Sequence, residues 1–117
     1  MKNVLIFNRI TLLWDFLLEV VSEVSTEPVQ VKNANEISSF GYGRNLDLAV
    51  INVDDPLYVD IKIIAMIRKL SPLALIVVYG QSKHERFVKE GAQMFFDNFV
   101  TVDEMKRQLT ARFDNPV

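Results

Sequence analysis

The polar residues best suited to chemistry in this sequence stand at or just beyond the ends of short apolar runs. They are Asn8, Arg9, Asn52, Asp54, Asp55, Tyr79 and Asn98. A carboxylate at such a position can bind Mg²⁺ or attack phosphorus, and a guanidinium can bind an anion, whereas an amide is a poor nucleophile. Asp54, Asp55 and Arg9 are therefore the residues on which catalytic or anion-binding chemistry would depend.

Composition excludes several other kinds of site. The 117 residues contain no cysteine, which removes disulfides, thiolate metal sites and cysteine nucleophiles together. The single histidine, His84, has no base or nucleophile beside it and is expected to be a solvated surface residue. A net charge of −2 and a pI near 5.3 supply no excess cation for a phosphate backbone, so we expect no direct nucleic-acid binding.

Apolar segments that predict β-strands alternate along the chain with amphipathic segments that predict helices. The strand segments are 4–7, 29–31, 48–51, 73–78 and 94–96. The helical segments are 11–24, 35–40, 60–70, 83–90 and 102–113, with Thr11 as the N-cap of the first helix and Thr101 or Asp103 as that of the last. Continuous apolar runs suit strands buried on both faces, whereas the alternation at 29–31 suits an edge strand. The order indicates an α/β protein with a parallel sheet, in which ligand chemistry occurs at the carboxyl ends of the strands.

Three segments, 2–9, 47–56 and 91–99, follow one another in a distinctive order. They resemble parts of the receiver domain of bacterial response regulators, the CheY-like family. Residues 2–9 resemble the first receiver strand and its acidic pair, and 47–56 resemble the third strand with its phospho-accepting aspartate and trailing proline. Residues 91–99 resemble the Gly-Ala turn, the fifth strand and the lysine segment. The resemblance covers nearly the whole chain, as one domain over 1–117 with a first strand at about 3–8 and a last helix at about 102–113. It implies a flavodoxin-like/CheY-like (βα)5 fold, a three-layer sandwich around a five-stranded parallel sheet in the order 2-1-3-4-5.

Every position of the receiver phosphorylation site differs in this sequence. The resemblance places Asn8 and Arg9 at the acidic pair that holds Mg²⁺, and Asn52 at the acceptor aspartate. It places Tyr79 at the Thr or Ser position and Asn98 at the lysine position. Mg²⁺ prefers carboxylate oxygens and an amide is a poor nucleophile, so the resemblance implies a degenerate pseudo-receiver with no catalytic residue, no metal and no cofactor.

Asp54, Asp55 and Arg9 leave two other interpretations open. In one, the chain is a phosphorylatable receiver with a rearranged site that uses Asp54 or Asp55. In the other, the cleft beside Arg9 holds a small anion or a nucleotide and the chain is a sensor. Against these, we expect Asp55 to initiate a turn with Pro56, and Asp54 to pair with Arg9 or solvent. We expect the Arg9 guanidinium to fill the vacated metal site.

Aromatic and basic side chains indicate where a partner would bind. Phe95 stands at the switch-aromatic position of the fifth receiver strand, and we expect it to pack permanently in the core. The possible interface residues are Trp14, Leu18, Arg86, Lys106 and Arg107, with packing against the last helix as the competing interpretation for Trp14 and Leu18. The implied function is a cytoplasmic, non-enzymatic module of two-component or phosphorelay-type signalling. It would contact a protein partner or a second copy of itself without phosphorylation, and no membrane.

Overall fold

Five parallel strands form the central layer of the molecule. The computed structural model describes residues 2–41, 45–54, 62–81 and 84–114. The strands are β1 (Val4–Phe7), β2 (Val29–Val31), β3 (Leu48–Asn52), β4 (Leu75–Tyr79) and β5 (Met94–Phe96). They lie in the order β2-β1-β3-β4-β5, and every neighbouring pair is parallel. The predicted strand order is confirmed.

Helices cover both faces of this sheet. They are α1 (Trp14–Val21), α2 (Ala34–Gly41), α3 (Lys62–Leu70), α4 (His84–Lys89) and α5 (Val102–Asp114). On one face, α2, α3 and α4 bury Ile37, Ile64 and Phe87 against the sheet. On the other face, α1 and α5 bury Leu17 and Leu109. The fold is the predicted three-layer α/β sandwich, and none of the described helices is long and apolar enough to cross a bilayer.

The burial of each strand follows its place in the sheet. The inner strands β1, β3 and β4 are buried at every residue, whereas the edge strands β2 and β5 are only partly buried. An inner strand is covered by helices on both faces and by strands on both sides, so each of its side chains must be apolar or fully hydrogen-bonded. The alternating sequence at 29–31 does mark an edge strand, as predicted.

The first helix is shorter than the sequence predicts. Thr11–Leu13 form a 3-10 turn, and α1 ends at Val21 rather than Val24. Thr11 is not the N-cap: Leu13 is the N-cap of α1, and Ile10 is that of the 3-10 turn, where its carbonyl accepts a hydrogen bond from the Leu13 N–H at 2.9 Å. The polar support at this end comes from Asn8, whose Oδ1 accepts a hydrogen bond from the Ile10 N–H at 3.0 Å. At the last helix, Thr101 is the cap, since its hydroxyl accepts a hydrogen bond from the Glu104 N–H at 3.2 Å.

The fourth strand begins later than the apolar run suggests. Leu73 is 96% exposed and lies in a turn with Pro72, so β4 starts at Leu75 instead of Leu73. Hydrogen bonds close this turn, because the Ala74 N–H donates to the Ser71 carbonyl at 3.1 Å. Hydrophobicity marked the run as strand, but Pro72 ends α3 and the chain must reverse before it can enter the sheet.

Candidate functional site

The carboxyl ends of the parallel strands bring most of the predicted site residues to one edge of the sheet. Asn8 follows β1, Asn52 ends β3 and Tyr79 ends β4. Asn52 pairs with Tyr79 in the ladder, and Tyr79 pairs with Phe96 at the end of β5. Residues far apart in sequence therefore meet here, as the topology requires.

Asn8 and Asn52 form a buried amide pair at the centre of this edge. Asn8 is 0% exposed and Asn52 is 2% exposed. The Asn52 Nδ2 donates to the Asn8 Oδ1 at 2.9 Å, and the Asn8 Nδ2 donates to the Ile10 carbonyl at 3.0 Å. Buried amides are stable only when their donors and acceptors are paired, and this arrangement pairs them without any charge.

Asp54 bridges three strand ends. Its backbone N–H donates to the Asn52 Oδ1 at 3.0 Å, which positions the side chain. Its Oδ1 accepts a hydrogen bond from the Gln81 backbone N–H at 2.7 Å, and its Oδ2 accepts one from the Asn98 Nδ2 at 3.2 Å. We call these contacts of Asp54 with Gln81 and Asn98 the Asp54 bridge. They differ from the expected pairing of Asp54 with Arg9 or with solvent.

Arg9 is exposed in the structure, and the Asn8 amide oxygen beside it accepts a hydrogen bond from the amide of Asn52. The expectation that the Arg9 guanidinium fills the vacated metal site stays a prediction. Asp55 and its proposed turn with Pro56 lie outside the described residues.

Tyr79 belongs to the hydrophobic core. It is buried, and its ring centroid lies 5.3 Å from that of Phe16. Burial raises the pKa of the Tyr79 hydroxyl, and the charges of Asp54 and Asp97 raise this pKa further. The hydroxyl therefore stays protonated at neutral pH, and the residue anchors α1 to the end of β4.

The residues that the resemblance places at a metal position do not fit Mg²⁺. Asn8 and Asn52 offer neutral amide oxygens, each of which already accepts a hydrogen bond. Both carboxylate oxygens of Asp54 are engaged by Gln81 and Asn98. A hard divalent cation needs several charged or strongly polar oxygens facing one point. In the described part of the chain, no group of three or more histidine or acidic residues is arranged to hold a metal ion.

The prediction that Phe95 packs permanently in the core is wrong. Phe95 is 42% exposed, whereas its neighbour Phe96 is buried under α1 and α5 with Met105 and Leu109. Adjacent residues of a strand point to opposite faces, so only one of the two rings can reach that core. On the Phe95 side, the strand lies at the sheet edge beside a helix of only 6 residues, which leaves the ring partly uncovered.

The predicted interface residues comprise two half-buried apolar side chains of α1 and three basic side chains of α4 and α5. Trp14 is half-buried and packs against the α1–α5 core, and Leu18 is also half-buried. Lys106 contacts Glu19 at 2.8 Å across the two helices, and Arg107 is hydrogen-bonded to Glu104. Arg86 is exposed on α4.

Sequence reasoning did not single out the most exposed large apolar side chains or Gln81. Those apolar residues are Leu12, Leu73, Val88 and Phe99. Leu73 and Val88 stand next to the buried residues Ala74 and Phe87, so local hydrophobicity gives no signal of their exposure. Gln81 acts through its backbone N–H, so its residue type carried no information either.

Comparisons with known proteins identify the fold. No protein-family model matches the sequence, and no curated protein matches it. Solved structures do match. A response regulator from Thermotoga maritima superposes with a TM-score of 0.79 at 15% identity, covering 98% of this chain and 99% of that one. CheY4 of Vibrio cholerae gives 0.76 at 11% identity, covering 94% and 97%. The CheY-like protein tadZ of Pseudomonas aeruginosa gives 0.75 at 12% identity, covering 94% and 98%.

These likenesses extend over the whole sandwich, in agreement with the observed strand order. The chain therefore has the flavodoxin-like fold of CheY-like response-regulator receiver domains. At this level of identity the likeness concerns the fold, and the chemistry of the edge must be argued from the residues present.

Proposed function

We propose that this chain is a pseudo-receiver, a non-enzymatic signalling module of two-component or phosphorelay type that acts through protein–protein contact without aspartyl phosphorylation. One observation carries the proposal. At the acceptor position, Asn52 is buried and its Nδ2 is hydrogen-bonded to Asn8, where phosphoryl transfer would need an exposed, charged carboxylate. The lone pair of an amide nitrogen is delocalised, so this group does not attack phosphorus at a useful rate.

The charges of the side chains at this edge of the sheet also support the proposal. Phosphoryl transfer needs cations that neutralise the developing negative charge, chiefly a bound metal ion and a basic side chain. Asn8 and Asn98 stand at the positions where the resemblance calls for a metal-binding acid and for lysine, and both are neutral. A donor phosphate brought to this edge would instead meet the carboxylate of Asp54.

Phosphorylation of Asp54 or Asp55 is the first alternative, and of the two Asp54 is the one that lies among the described residues. Its carboxylate would have to leave both the Gln81 N–H and the Asn98 amide before either oxygen could attack phosphorus. Each of these hydrogen bonds to a charged acceptor favours the bridged arrangement by about 1.5–3 kcal/mol. A small-anion sensor that uses the Arg9 cleft is the second alternative, and the experiment below separates it from the other two.

The partner surface we propose is the face formed by α4, β5 and α5. Phe95 and Val88 are exposed apolar residues of β5 and α4, and Arg86 is an exposed cation of α4. Partly exposed apolar side chains flanked by charge are typical of a surface that binds another protein, either a partner or a second copy. Lys106 and Arg107 on α5 are already paired within the molecule, Lys106 with Glu19 of α1, so neither of them anchors this face.

The test is an amide NMR titration of the wild-type chain with Mg²⁺, followed by beryllium fluoride as a phosphoryl mimic. We expect no movement of the signals of Asn8, Asn52, Tyr79 and Asn98. Intact mass after incubation with an acyl-phosphate donor should also be unchanged. The double variant Asn8→Asp/Asn52→Asp restores two carboxylates and is the control for metal detection, because Mg²⁺ should raise its melting temperature.

Two results would contradict the proposal. A Mg²⁺-dependent shift with a phosphoryl mass gain would establish a working receiver, and mass analysis of the Asp54→Ala variant would show whether Asp54 is the acceptor. Stabilisation of the wild-type chain by inorganic phosphate or a nucleotide in the absence of metal would instead favour the sensor.

A further inference from the structure

A continuous series of hydrogen bonds joins all five strand ends at the carboxyl edge. On the β2 side, the Gln30 Nε2 donates to the Asn8 carbonyl at 2.8 Å. Asn8 is bonded to Asn52, and the Asn52 Oδ1 holds the backbone of Asp54. The Asp54 bridge then reaches the ends of β4 and β5. In this series, Asp54 contributes the only charged group.

The backbone at Gly80 packs closely against the Asp54 carboxylate. Gly80 has a φ of +148°, and a Cβ placed on it would lie 2.7 Å from the Asp54 Oδ1 and 2.9 Å from the Val53 Cγ2. A side chain at position 80 would therefore displace the carboxylate or the backbone that follows β4. The Gly80 N–H donates to the Phe96 carbonyl at 3.0 Å, so the Asp54 oxygens meet a backbone that is already tied to β5.

The two donors that face Asp54 are of a kind that binds anions. The Gln81 backbone N–H and the Asn98 amide converge on one carboxylate, and groups of these types also donate to the oxygens of a free phosphate. The anion that these donors bind in the structure is the carboxylate of Asp54, which is part of the protein and not a ligand. No free anion can enter while the carboxylate is in place, because like charges repel and the donors are taken.

We infer that Asp54 is a built-in anion that closes this site and holds the ends of β3, β4 and β5 in one arrangement. The edge is thereby fixed without any ligand, and the partner-binding surface stays in a single state. This inference rests on the proposed function and deepens it. A module that is not switched by phosphorylation needs other contacts to hold the strand ends at this edge in one arrangement.

The experiment compares the wild-type chain with the Asp54→Ala variant by amide NMR. In the variant, hydrogen exchange at the Gln81 N–H should be at least about tenfold faster, because its charged acceptor is lost. Inorganic phosphate is the probe for the opened site. It should shift the Gln81 and Asn98 signals of Asp54→Ala in a saturable manner and leave those of the wild-type chain in place.

Asp97→Ala is the matched control. It removes a carboxylate from the same edge, but the Asp97 Oδ1 accepts its hydrogen bond from the nearby Phe99 N–H at 2.9 Å and does not bridge strands. This variant should keep the wild-type exchange rate at Gln81 and should not respond to phosphate. Asp54→Asn, which keeps the shape and loses the charge, should fall between the wild-type chain and Asp54→Ala in its exchange rate at Gln81.

Unchanged exchange at Gln81 in both Asp54 variants would overturn the inference, as would a phosphate response of equal size in the wild-type chain and in Asp54→Ala. The exchange result at Gln81 distinguishes failure of this inference from failure of the proposed function, which is tested on the wild-type chain with Mg²⁺, a phosphoryl mimic and metal-free phosphate. A chain could resist phosphorylation and still lack a closed anion site.

Discussion

The hydroxyl of Tyr79 is held neutral by the same packing that makes the residue part of the core. Burial against Phe16 disfavours the phenolate, and two nearby carboxylates, Asp54 and Asp97, disfavour it further. The pKa of Tyr79 is therefore raised above its ordinary value of 10.0. The unfolded chain, which lacks these neighbours, would lose this proton at a lower pH than the folded chain.

This difference predicts an alkaline loss of stability. At pH values below the pKa of Tyr79 in the unfolded state, Tyr79 is protonated in both states. Its ionisation then adds no pH dependence to the free energy of unfolding. As the pH rises through about 10 toward the higher folded-state pKa, the unfolded state binds fewer protons and becomes relatively more stable. We expect the urea midpoint of the wild-type chain to fall more steeply in this range than that of Tyr79→Phe.

The measurement is equilibrium unfolding in urea at a series of pH values from neutral to strongly alkaline. At neutral pH the two proteins should have similar midpoints, because the phenylalanine ring keeps the contact with Phe16. Parallel alkaline limbs in the two proteins would contradict the assignment of the pH dependence to Tyr79.

At the scale of elements, Arg68 organises the edge of the sheet opposite to the candidate site. It lies in the last turn of α3, and its Nη1 donates to the carbonyls of Pro72 and Ala74 at 2.8 and 2.7 Å. Its Nη2 donates to the Gln93 Oε1 at 3.0 Å. The same oxygen accepts a hydrogen bond from the Ile76 N–H at 2.8 Å. One guanidinium thus joins the end of α3 to the entries of β4 and β5.

We expect Arg68→Met to lower the free energy of unfolding by about 2 kcal/mol, because it removes a set of charge-assisted hydrogen bonds and leaves carbonyl groups unpaired. Lysine has one compact ammonium group and cannot reproduce the two sets of donors of the guanidinium. Arg68→Lys should therefore lower the free energy of unfolding, but by less than Arg68→Met does. Denaturant unfolding is the measurement.

Lys69→Met is the control for Arg68. It removes the neighbouring exposed cation of the same helix and should change stability by less than about 0.5 kcal/mol. Equal destabilisation by Lys69→Met and Arg68→Met would indicate a general effect of charge on α3 instead of the specific contacts.

At the scale of the whole molecule, the sandwich leaves apolar side chains exposed at distinct places. Phe95 lies on the edge strand β5, which contacts α4, and Val88 is an exposed apolar residue of α4, whereas Leu73 lies in the turn that precedes β4. The Phe95 region belongs to the proposed partner surface, and Leu73 does not. Substitution of Phe95 can therefore be compared with substitution of Leu73, an exposed apolar residue outside the proposed surface.

We expect Phe95→Ser to weaken contact with a second copy of the chain, measured as the concentration dependence of the mass in sedimentation velocity. Leu73→Ser should leave this dependence as in the wild-type chain. The physical reason is that a second copy would cover the Phe95 ring, an aromatic group of the kind that anchors interfaces, whereas Leu73 lies outside the proposed surface and would stay exposed. Equal weakening by both substitutions would contradict the proposed position of the surface.

Much of the architecture follows from the sequence alone, because it depends on short-range patterns. Continuous apolar runs determine that β1 and β3 are buried strands, and alternation determines that β2 is an edge strand. The neutrality of the amide pair is also a property of the sequence. Asn8 and Asn52 carry no charge whatever surrounds them, so the absence of carboxylates at these two positions is evident from the sequence alone.

The partners of the remaining site residues were decided by the tertiary structure. Asp54 lies 27 positions from Gln81 and 44 from Asn98, and only the closing of the sheet brings these groups within hydrogen-bond distance. The exposure of Phe95 likewise depends on its strand being at an edge beside a short helix. Residue type and local pattern determine what a side chain can do. Which groups it meets depends on contacts between distant segments, and these exist only once the layers have packed.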